Sequence, residues 1–256
     1  MDWDPQVYRR YDNERTRPFH DLLARVGAPA PRRVVDLGCG PATTTALLAA
    51  RWPGAVVEGI DSSPDMIAAA RAVPGVSVRL GDVRQWRAGP DVDVDVVIST
   101  ATLQWVPGHL ELLTQWARAL GPGGWLGVQV PGNFAAPAHT LLREHAARFG
   151  VGHVLRHHDA VAEPDDYAQL LLDAGLVADV WETTYLHVLA GADPVFEWLR
   201  GTGLRPVLAA LSADRVEQFG AGFAAALRAA YPPGPGGTLF PFRRIFAVGH
   251  RPEGAS

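Results

Sequence analysis

Acidic residues and glycines stand at the ends of the first apolar runs of this 256-residue sequence. These residues are Asp36, Gly38, Gly40, Asp61 and Asp82. Glycine allows a tight turn and a close approach of the backbone to a ligand, where a β-carbon would collide. A carboxylate at a strand tip can accept hydrogen bonds from both hydroxyls of a ribose. The pattern therefore predicts a nucleoside site in which Asp61 binds the ribose, while Asp82 and Val83 meet an adenine amine and ring edge.

A dinucleotide site is the main alternative, and the spacing of the glycines bears on it. The dinucleotide fingerprint has a third glycine three residues after the second, but Gly40 is followed by Pro41, Ala42 and Thr43. The threonine weakens the pyrophosphate interpretation and favours a nucleoside with a short charged tail. A glycine pair alone also fits an ordinary tight turn, and the acidic residues at successive strand ends argue against that simpler interpretation.

The elements that position these residues follow from an alternation of apolar runs with helical patterns. Strands are predicted at 34–37, 55–60, 76–80, 94–99 and 125–130, and helices at 42–51, 64–72 and 109–119. Short links between them indicate right-handed crossovers that build a parallel sheet with helices on both faces. The predicted fold class is α/β, with a Rossmann-like, doubly wound, mostly parallel sheet. Ligands bind such sheets at the carboxyl ends of the strands, where the strand order reverses.

The pattern changes after the fifth strand. Helices are predicted at 137–149 and 164–174, a long β-like stretch at 178–189, helical periodicity at 193–231, a turn at 232–237 and a final strand at 243–250. We expect this last strand to be antiparallel. Because the third helical block stands between two strands, it predicts a helical cap inserted at about 190–237. A single domain spanning 1–256 is expected, opened by an N-terminal helical segment at 1–30.

Composition excludes several other kinds of protein. All 23 basic residues are arginines, which removes Schiff-base chemistry and a P-loop, because both need a lysine. Cys39 is the only cysteine, so neither an intramolecular disulfide framework nor a cysteine-based zinc cluster is expected. The net charge of −4 and the lack of a long apolar run or signal-peptide pattern predict a protein that binds neither nucleic acid nor membrane. We expect a cytoplasmic monomer.

Three blocks, in order along the chain, resemble the signature of class I S-adenosylmethionine-dependent methyltransferases. They are Val35-Asp36-Leu37-Gly38-Cys39-Gly40-Pro41, Gly59-Ile60-Asp61-Ser62-Ser63 and Gly81-Asp82. The resemblance implies the class I methyltransferase fold and S-adenosylmethionine as cofactor. The cofactor-binding residues that it implies are Asp36, Gly38, Gly40, Asp61, Ser62, Met66, Asp82, Val83 and Thr100.

The resemblance also implies a role for several of these residues. Gly38 and Gly40 would lie beside the methionine part of the cofactor, and Met66 would pack on the adenine face. The sequence departs from the family pattern at two positions. Ala42 stands where a third glycine is common, and Thr100 stands where an asparagine is expected.

Later blocks resemble the members of that family that methylate trans-aconitate. These blocks are 100–107, 129–134, 181–187, 198–206 and 240–246, with 3–5, Tyr8 and 15–18 near the start. The resemblance implies methyl transfer to a carboxylate of trans-aconitate, giving a monomethyl ester and S-adenosylhomocysteine. A methyltransferase for another small carboxylate or an enol-type substrate is the nearest alternative. A non-catalytic cofactor-binding module and a nicotinamide dehydrogenase are the alternatives from other classes.

In this reaction the main task of the protein is to position the substrate carboxylate against the methyl group. A carboxylate is already ionised at neutral pH, so it needs no strong general base, and no catalytic residue is assigned. Because the planar fork of arginine binds carboxylates bidentately, we expect a substrate clamp from Arg17, Arg243 and Arg244, with Arg200 or Arg205 as further candidates. Strand alternation predicts that only one of Arg243 and Arg244 faces inward. The residues expected to shape the rest of the substrate site are Gln104, Trp105, Asn133 and Tyr185.

Simpler interpretations hold for other conspicuous residues. His153, His157 and His158 have helical spacing, but no carboxylate pattern completes a metal site, so solvated histidines and no metal are expected. Trp181 and Trp198 are expected to fill a core, which is the usual place of aromatic residues.

Overall fold

The structure, a computed structural model, describes residues 12–88, 94–155 and 160–254. The helices are α1 Asp12–Leu23, α2 Thr45–Arg51, α3 Pro64–Ala70, α4 His109–Ala119, α5 Pro137–Arg148, α6 Pro164–Asp173, α7 Pro194–Arg200, α8 Arg205–Ala210 and α9 Ala213–Ala230. The strands are β1 Arg33–Leu37, β2 Val56–Asp61, β3 Ser77–Leu80, β4 Val96–Thr100, β5 Trp125–Pro131, β6 Val177–Leu189, β7 Pro233–Gly234 and β8 Gly237–His250. Short 3₁₀ turns follow at Val83–Gln85, Leu103–Trp105 and Gly152–Val154.

The chain divides into two compact units, which are described separately. The larger unit comprises 15–131, 161–182 and 245–256, and the smaller comprises 1–14, 132–160 and 183–244, each with the gaps given above. None of the helices described is long and apolar enough to cross a membrane.

The larger unit is built on the sheet, whose strand order is β3-β2-β1-β4-β5-β8-β6. Neighbours from β3 to β5 are parallel. Strands β1 and β5 are buried along nearly their whole length, which is typical of parallel strands covered on both faces. The mostly parallel, Rossmann-like sheet with an antiparallel last strand is therefore confirmed. Its order reverses between β1 and β4, so ligand-binding residues are expected at the carboxyl ends of these strands.

Helices cover both faces of this sheet. One face packs on α4 and α6 through a buried cluster that includes Val35, Val97 and Trp116. The other face carries the region of α1, because a β-carbon added at Gly127 would lie 3.3 Å from Val26 Cγ2 and 3.6 Å from Leu22 Cδ1.

The smaller unit has a core of its own. Helices α5, α7, α8 and α9 pack with the adjoining parts of β6 and β8 around a mostly aromatic cluster; its largest members include Trp198, Phe219, Phe223, Phe240 and Phe242. Trp198 is thus a core residue, as predicted from its type. Trp181, in the larger unit, is half-buried and stacks on Phe246 with ring centroids 4.7 Å apart.

Several boundaries differ from the sequence predictions. The helix predicted from 42 begins at Thr45, because Ala42 has a left-handed backbone with φ of 60°. The final strand begins at Gly237 and not at 243, because the chain turns back at once and β7 pairs with it. The helical block at 193–231 is three helices. The predictions for residues 1–11 and for His157 and His158 concern residues outside those described.

Candidate active site

The turn after β1 has three left-handed residues in its short course. The φ angles are 87° at Gly38, 54° at Gly40 and 60° at Ala42. A β-carbon on Gly38 would lie 2.0 Å from Oγ1 of Thr102, so Gly38 has no room for a side chain. Around Gly40, by contrast, a β-carbon would meet no atom of the described chain within 4 Å. The turn is therefore closed at Gly38 and open at Gly40, where a ligand can approach the backbone.

Asp61 holds this turn against the tip of β2. Its Oδ2 accepts the backbone N–H of Gly40 at 2.9 Å, and its Oδ1 accepts the N–H of Ser63 at 2.8 Å. The side chain remains half-buried, and a carboxylate has about four lone-pair sites. Asp61 can therefore accept two ligand hydroxyls while it keeps both backbone bonds.

Asp36 lies deeper than the other acidic residues, at 1% exposure. Its Oδ2 accepts the hydroxyl of Thr45 at 2.6 Å, and within the described chain its Oδ1 has no hydrogen-bond partner. Burial raises the pKa of Asp36 to about 6, the Thr45 hydrogen bond opposes this rise, and the nearby charge of Asp61 adds to it. The carboxyl of Asp36, next to the turn, therefore keeps its proton to a higher pH than an ordinary aspartate does.

Asp82 is bound to its neighbour Arg84. The guanidinium Nε of Arg84 donates to Oδ2 of Asp82 at 2.9 Å, and the backbone N–H of Arg84 donates to Oδ1 at 2.8 Å. These hydrogen bonds hold the pKa of Asp82 below its ordinary range. The side chain of Val83 belongs to the buried cluster, so its backbone is the part available to a ligand. Any adenine amine that binds Asp82 must share the carboxylate with Arg84 or displace it.

The remaining predicted cofactor residues lie at the same carboxyl edge. Ser62 is exposed after β2, and Met66 is half-buried in the first turn of α3. Thr100 is half-buried at the end of β4 and stands opposite Gln129 of β5. The structure therefore brings all nine residues to the ends of β1 to β4.

The loop after β4 carries two of the predicted substrate residues. Gln104 is buried, and its Nε2 donates to the carbonyl of Ala101 at 2.5 Å, so this amide braces the loop. Ala101 has a left-handed backbone with φ of 51°. Trp105 is 53% exposed. Arg17 is also exposed, on α1.

Four predicted substrate residues lie in the smaller unit. Asn133 is 4% exposed, yet neither Oδ1 nor Nδ2 has a hydrogen-bond partner among the residues described. Tyr185 is buried on β6, with its ring parallel to that of His187 at 6.3 Å. The unbonded amide of Asn133 costs folding free energy, and a hydrogen bond to a polar ligand would offset this cost.

The two arginines of β8 differ in burial, as strand alternation predicts. Arg244 is 7% exposed, with its guanidinium 4.4 Å from the ring centroid of Phe242. Arg243 is half-buried and donates from Nη1 to the carbonyl of Gly132 at 3.3 Å. Both lie inside a long strand and not at its start. Arg200 is paired with Glu197 at the surface of α7.

Sequence reasoning missed three residues of this region. Thr102 occupies the space beside Gly38, Thr45 binds Asp36, and Arg84 binds Asp82. Arg84 could have been found, because an arginine two residues from an acid at a strand tip can fold back on it. Thr102 lies 64 positions from Gly38, and no local pattern links them.

The donor and acceptor groups at this edge fit a nucleoside that carries an amino-acid tail. The open backbone at Gly40, the half-buried carboxylate of Asp61 and the acid at Asp82 stand at successive strand ends. A methyltransferase-domain family model matches residues 34–124, which contain this whole edge.

Comparison with solved structures bears on the fold. The YcgJ protein of Bacillus subtilis superposes with a TM-score of 0.58 at 17% identity, over 92% of this chain and 100% of that chain. A Haemonchus contortus phosphoethanolamine N-methyltransferase superposes with a TM-score of 0.54 at 17% identity, over 93% of this chain and 53% of that chain. The fold is that of the class I methyltransferases.

Curated relatives narrow the class to a family. Proteins named trans-aconitate 2-methyltransferase are 54% identical in a Mycobacterium species (strain KMS), over 96% of this chain and 98% of the relative. The identity is 50% in Streptomyces avermitilis, over 97% of both chains, and 48% in Mycobacterium tuberculosis, over 96% of this chain and 95% of the relative. The chain belongs to the trans-aconitate 2-methyltransferase family, and the resemblance described from the sequence is confirmed.

Proposed function

We propose that this protein transfers the methyl group of S-adenosylmethionine to a carboxylate of trans-aconitate, with a monomethyl ester and S-adenosylhomocysteine as products. The observation that carries the proposal is the near full-length identity of 54% with relatives of that name. The open turn at Gly40, held by Asp61, supports the choice of cofactor, because it offers backbone and carboxylate to one ligand.

The chain has residues suited to each part of the cofactor. Under this proposal the turn at Gly38 and Gly40 holds the methionine part, Asp61 accepts the ribose hydroxyls, and Asp82 with the backbone of Val83 binds the adenine. Met66 packs on the adenine face, and Asp36, Ser62 and Thr100 border the cofactor. When bound, S-adenosylmethionine supplies an electrophilic methyl group on a sulfonium centre.

The protein's own part in the reaction is to bind and align the substrate. The attacking carboxylate has an ordinary pKa of about 4, so it is ionised at neutral pH without a protein base. Alignment of the reacting groups alone can supply about 7–11 kcal/mol. We assign no side chain to proton transfer.

Substrate recognition rests on arginines and buried polar groups. Arg244, with Arg243 and Arg17, neutralises the carboxylates, because arginine binds a carboxylate through two parallel hydrogen bonds. Asn133 is the best supported of the other residues, since neither end of its buried amide has a hydrogen-bond partner among the residues described. Gln104, Trp105 and Tyr185 complete the site under this proposal.

The nearest alternative is methylation of another small carboxylate or of an enol-type substrate. The fold does not distinguish these reactions, because the site and not the scaffold sets the substrate. The monomeric state, the cytoplasmic location and the single-domain organisation with a cap stay predictions from the sequence.

A product assay tests the proposal. The purified protein is incubated with S-adenosylmethionine and trans-aconitate, cis-aconitate, isocitrate or citrate, and the products are analysed by mass spectrometry. We expect one added methyl group on trans-aconitate and equimolar S-adenosylhomocysteine. Asp61→Ala should abolish both products, whereas Asp65→Ala, which alters an exposed carboxylate on α3, should leave them unchanged. Methylation of a different acid in place of trans-aconitate would move the assignment to the alternative.

A further inference from the structure

A third buried amide, Gln129 on β5, lies in the larger unit and has no role in the site described so far. Its side chain is 3% exposed, and its Nε2 has no hydrogen-bond partner in the described chain. Buried amide nitrogens are nearly always hydrogen-bonded, because an unbonded one costs folding free energy. A group outside the folded chain can complete this hydrogen bond.

The register of the sheet places Gln129 at the candidate site. Gln129 of β5 stands opposite Thr100 of β4. Two residues earlier on these strands, Gly127 stands opposite Ile98. On the other side of β4, Ile98 stands opposite Asp36 of β1. Because side chains alternate along a strand, Asp36, Thr100 and Gln129 point to the same face of the sheet. This amide therefore extends the row of polar residues at the carboxyl edge.

Gln129 also anchors the loop that follows β4. Its carbonyl accepts the N–H of Ala101 at 2.9 Å, and Ala101 holds the left-handed backbone described above. The same loop carries Trp105 and is braced by Gln104. A left-handed non-glycine residue is strained, and such strain is concentrated at ligand-binding sites.

We propose that Gln129 is a specificity-determining residue that donates from Nε2 to a carboxylate oxygen of the substrate. The proposal rests on the proposed function, which supplies a substrate with three carboxylates. An amide nitrogen is a donor only, so its partner must be an acceptor. Strands β4 and β5 lie across the switch point from the strands that carry Asp61 and Asp82, which favours the substrate over the cofactor as its partner. Because Nε2 is shielded from solvent, the proposal requires the groups that cover it to move when the substrate binds.

Two substitutions test the role of the amide. Gln129→Met removes the donor and keeps a similar volume, and Gln129→Glu keeps the shape but replaces the donor by an acceptor. Binding of trans-aconitate is measured by calorimetry on protein saturated with S-adenosylhomocysteine, so the result does not depend on turnover. We expect Gln129→Met to weaken binding by about tenfold or more, which is typical for a hydrogen bond to a charged group. Gln129→Glu should weaken it further, while S-adenosylhomocysteine affinity stays unchanged in both.

A matched control is available in the same unit. Trp116 also has a buried N–H without a partner among the described residues, but it belongs to the cluster on the opposite face of the sheet. Trp116→Phe should leave trans-aconitate binding unchanged. Thermal unfolding of every variant separates weaker binding from loss of the fold.

Substrate analogues that each lack one carboxylate identify the contact. The penalty of Gln129→Met should persist for two of the three analogues and vanish for the one that lacks the carboxylate bound by Gln129. An equal penalty on all three, an equal loss of S-adenosylhomocysteine affinity, or no penalty at all would each overturn the proposal. Failure of the proposed function would appear separately, as wild-type protein that forms no methyl ester of trans-aconitate.

Discussion

The contact between Gly38 and Thr102 gives a quantitative prediction for the variant Gly38→Ala. A new β-carbon would lie 2.0 Å from Oγ1, 2.4 Å from Cγ2 and 2.7 Å from Cβ of Thr102. Such overpacking costs about 1–3 kcal/mol of folding free energy. The left-handed backbone, with φ of 87°, costs an alanine a further 1–2 kcal/mol or so, and the smaller entropy of the unfolded chain returns about 0.4–1 kcal/mol. We expect a net destabilisation of about 1–4.5 kcal/mol.

A double-mutant cycle separates the two costs. In a Thr102→Gly background the collision disappears, so Gly38→Ala should cost only the backbone strain less the entropy of the unfolded chain, at most about 1.5 kcal/mol. Gly40→Ala is the matched control, because it has a similar backbone but open space around the added carbon. Gly40→Ala should cost only the backbone strain, and this cost should be the same with and without Thr102. Urea unfolding measures all of these free energies. An equal cost of Gly38→Ala in both backgrounds would refute the steric explanation.

Three further predictions concern neighbouring residues. Ala42→Gly should stabilise the protein by up to about 1 kcal/mol, because it relieves the left-handed strain, and thermal unfolding should show a higher Tm. Asp36→Asn should remove one contribution to the pH dependence of stability: the pKa of Asp36 is raised to about 6 in the folded state, so the contribution of Asp36 to stability falls as pH rises from about 4 to about 6 and stays level above that. Urea unfolding at several pH values checks this, and parallel profiles of the two proteins would contradict it. Arg244→Lys should weaken trans-aconitate binding about tenfold, because lysine lacks the planar fork. Calorimetry should show no such loss for the surface control Arg200→Lys.

The sheet and the positions of the cofactor residues could be predicted because both follow from local sequence patterns. Apolar runs mark buried strands, and the residues after each run necessarily stand at the sheet edge. Asp36, Asp61 and Asp82 were therefore placed correctly at strand ends. The boundary of α2 was missed because alanine is a good helix former, and only the folded turn forces Ala42 into a left-handed backbone.

The remaining features depend on contacts between distant parts of the chain. Thr102 fills the space beside Gly38 from another loop, and the amide of Gln129 lies unbonded because of what packs around it. The lack of space at Gly38 and the unbonded amide of Gln129 both result from how the surrounding residues pack. Neither the residue type nor the neighbouring sequence predicts this packing. The same applies to Arg244. Strand alternation predicts that one of Arg243 and Arg244 faces inward, and only the folded structure shows that the buried one is Arg244.

Because Arg84 pairs with Asp82, a side chain of the protein competes with the ligand for the carboxylate of Asp82. The guanidinium is tethered two residues away and is always charged, so it competes with the adenine for the carboxylate. Both groups lie near the surface, where dissolved salt weakens their attraction. Under the proposed role of Asp82, the affinity for the cofactor is then set partly by ionic strength and by the residue at position 84, although neither touches the reacting methyl group.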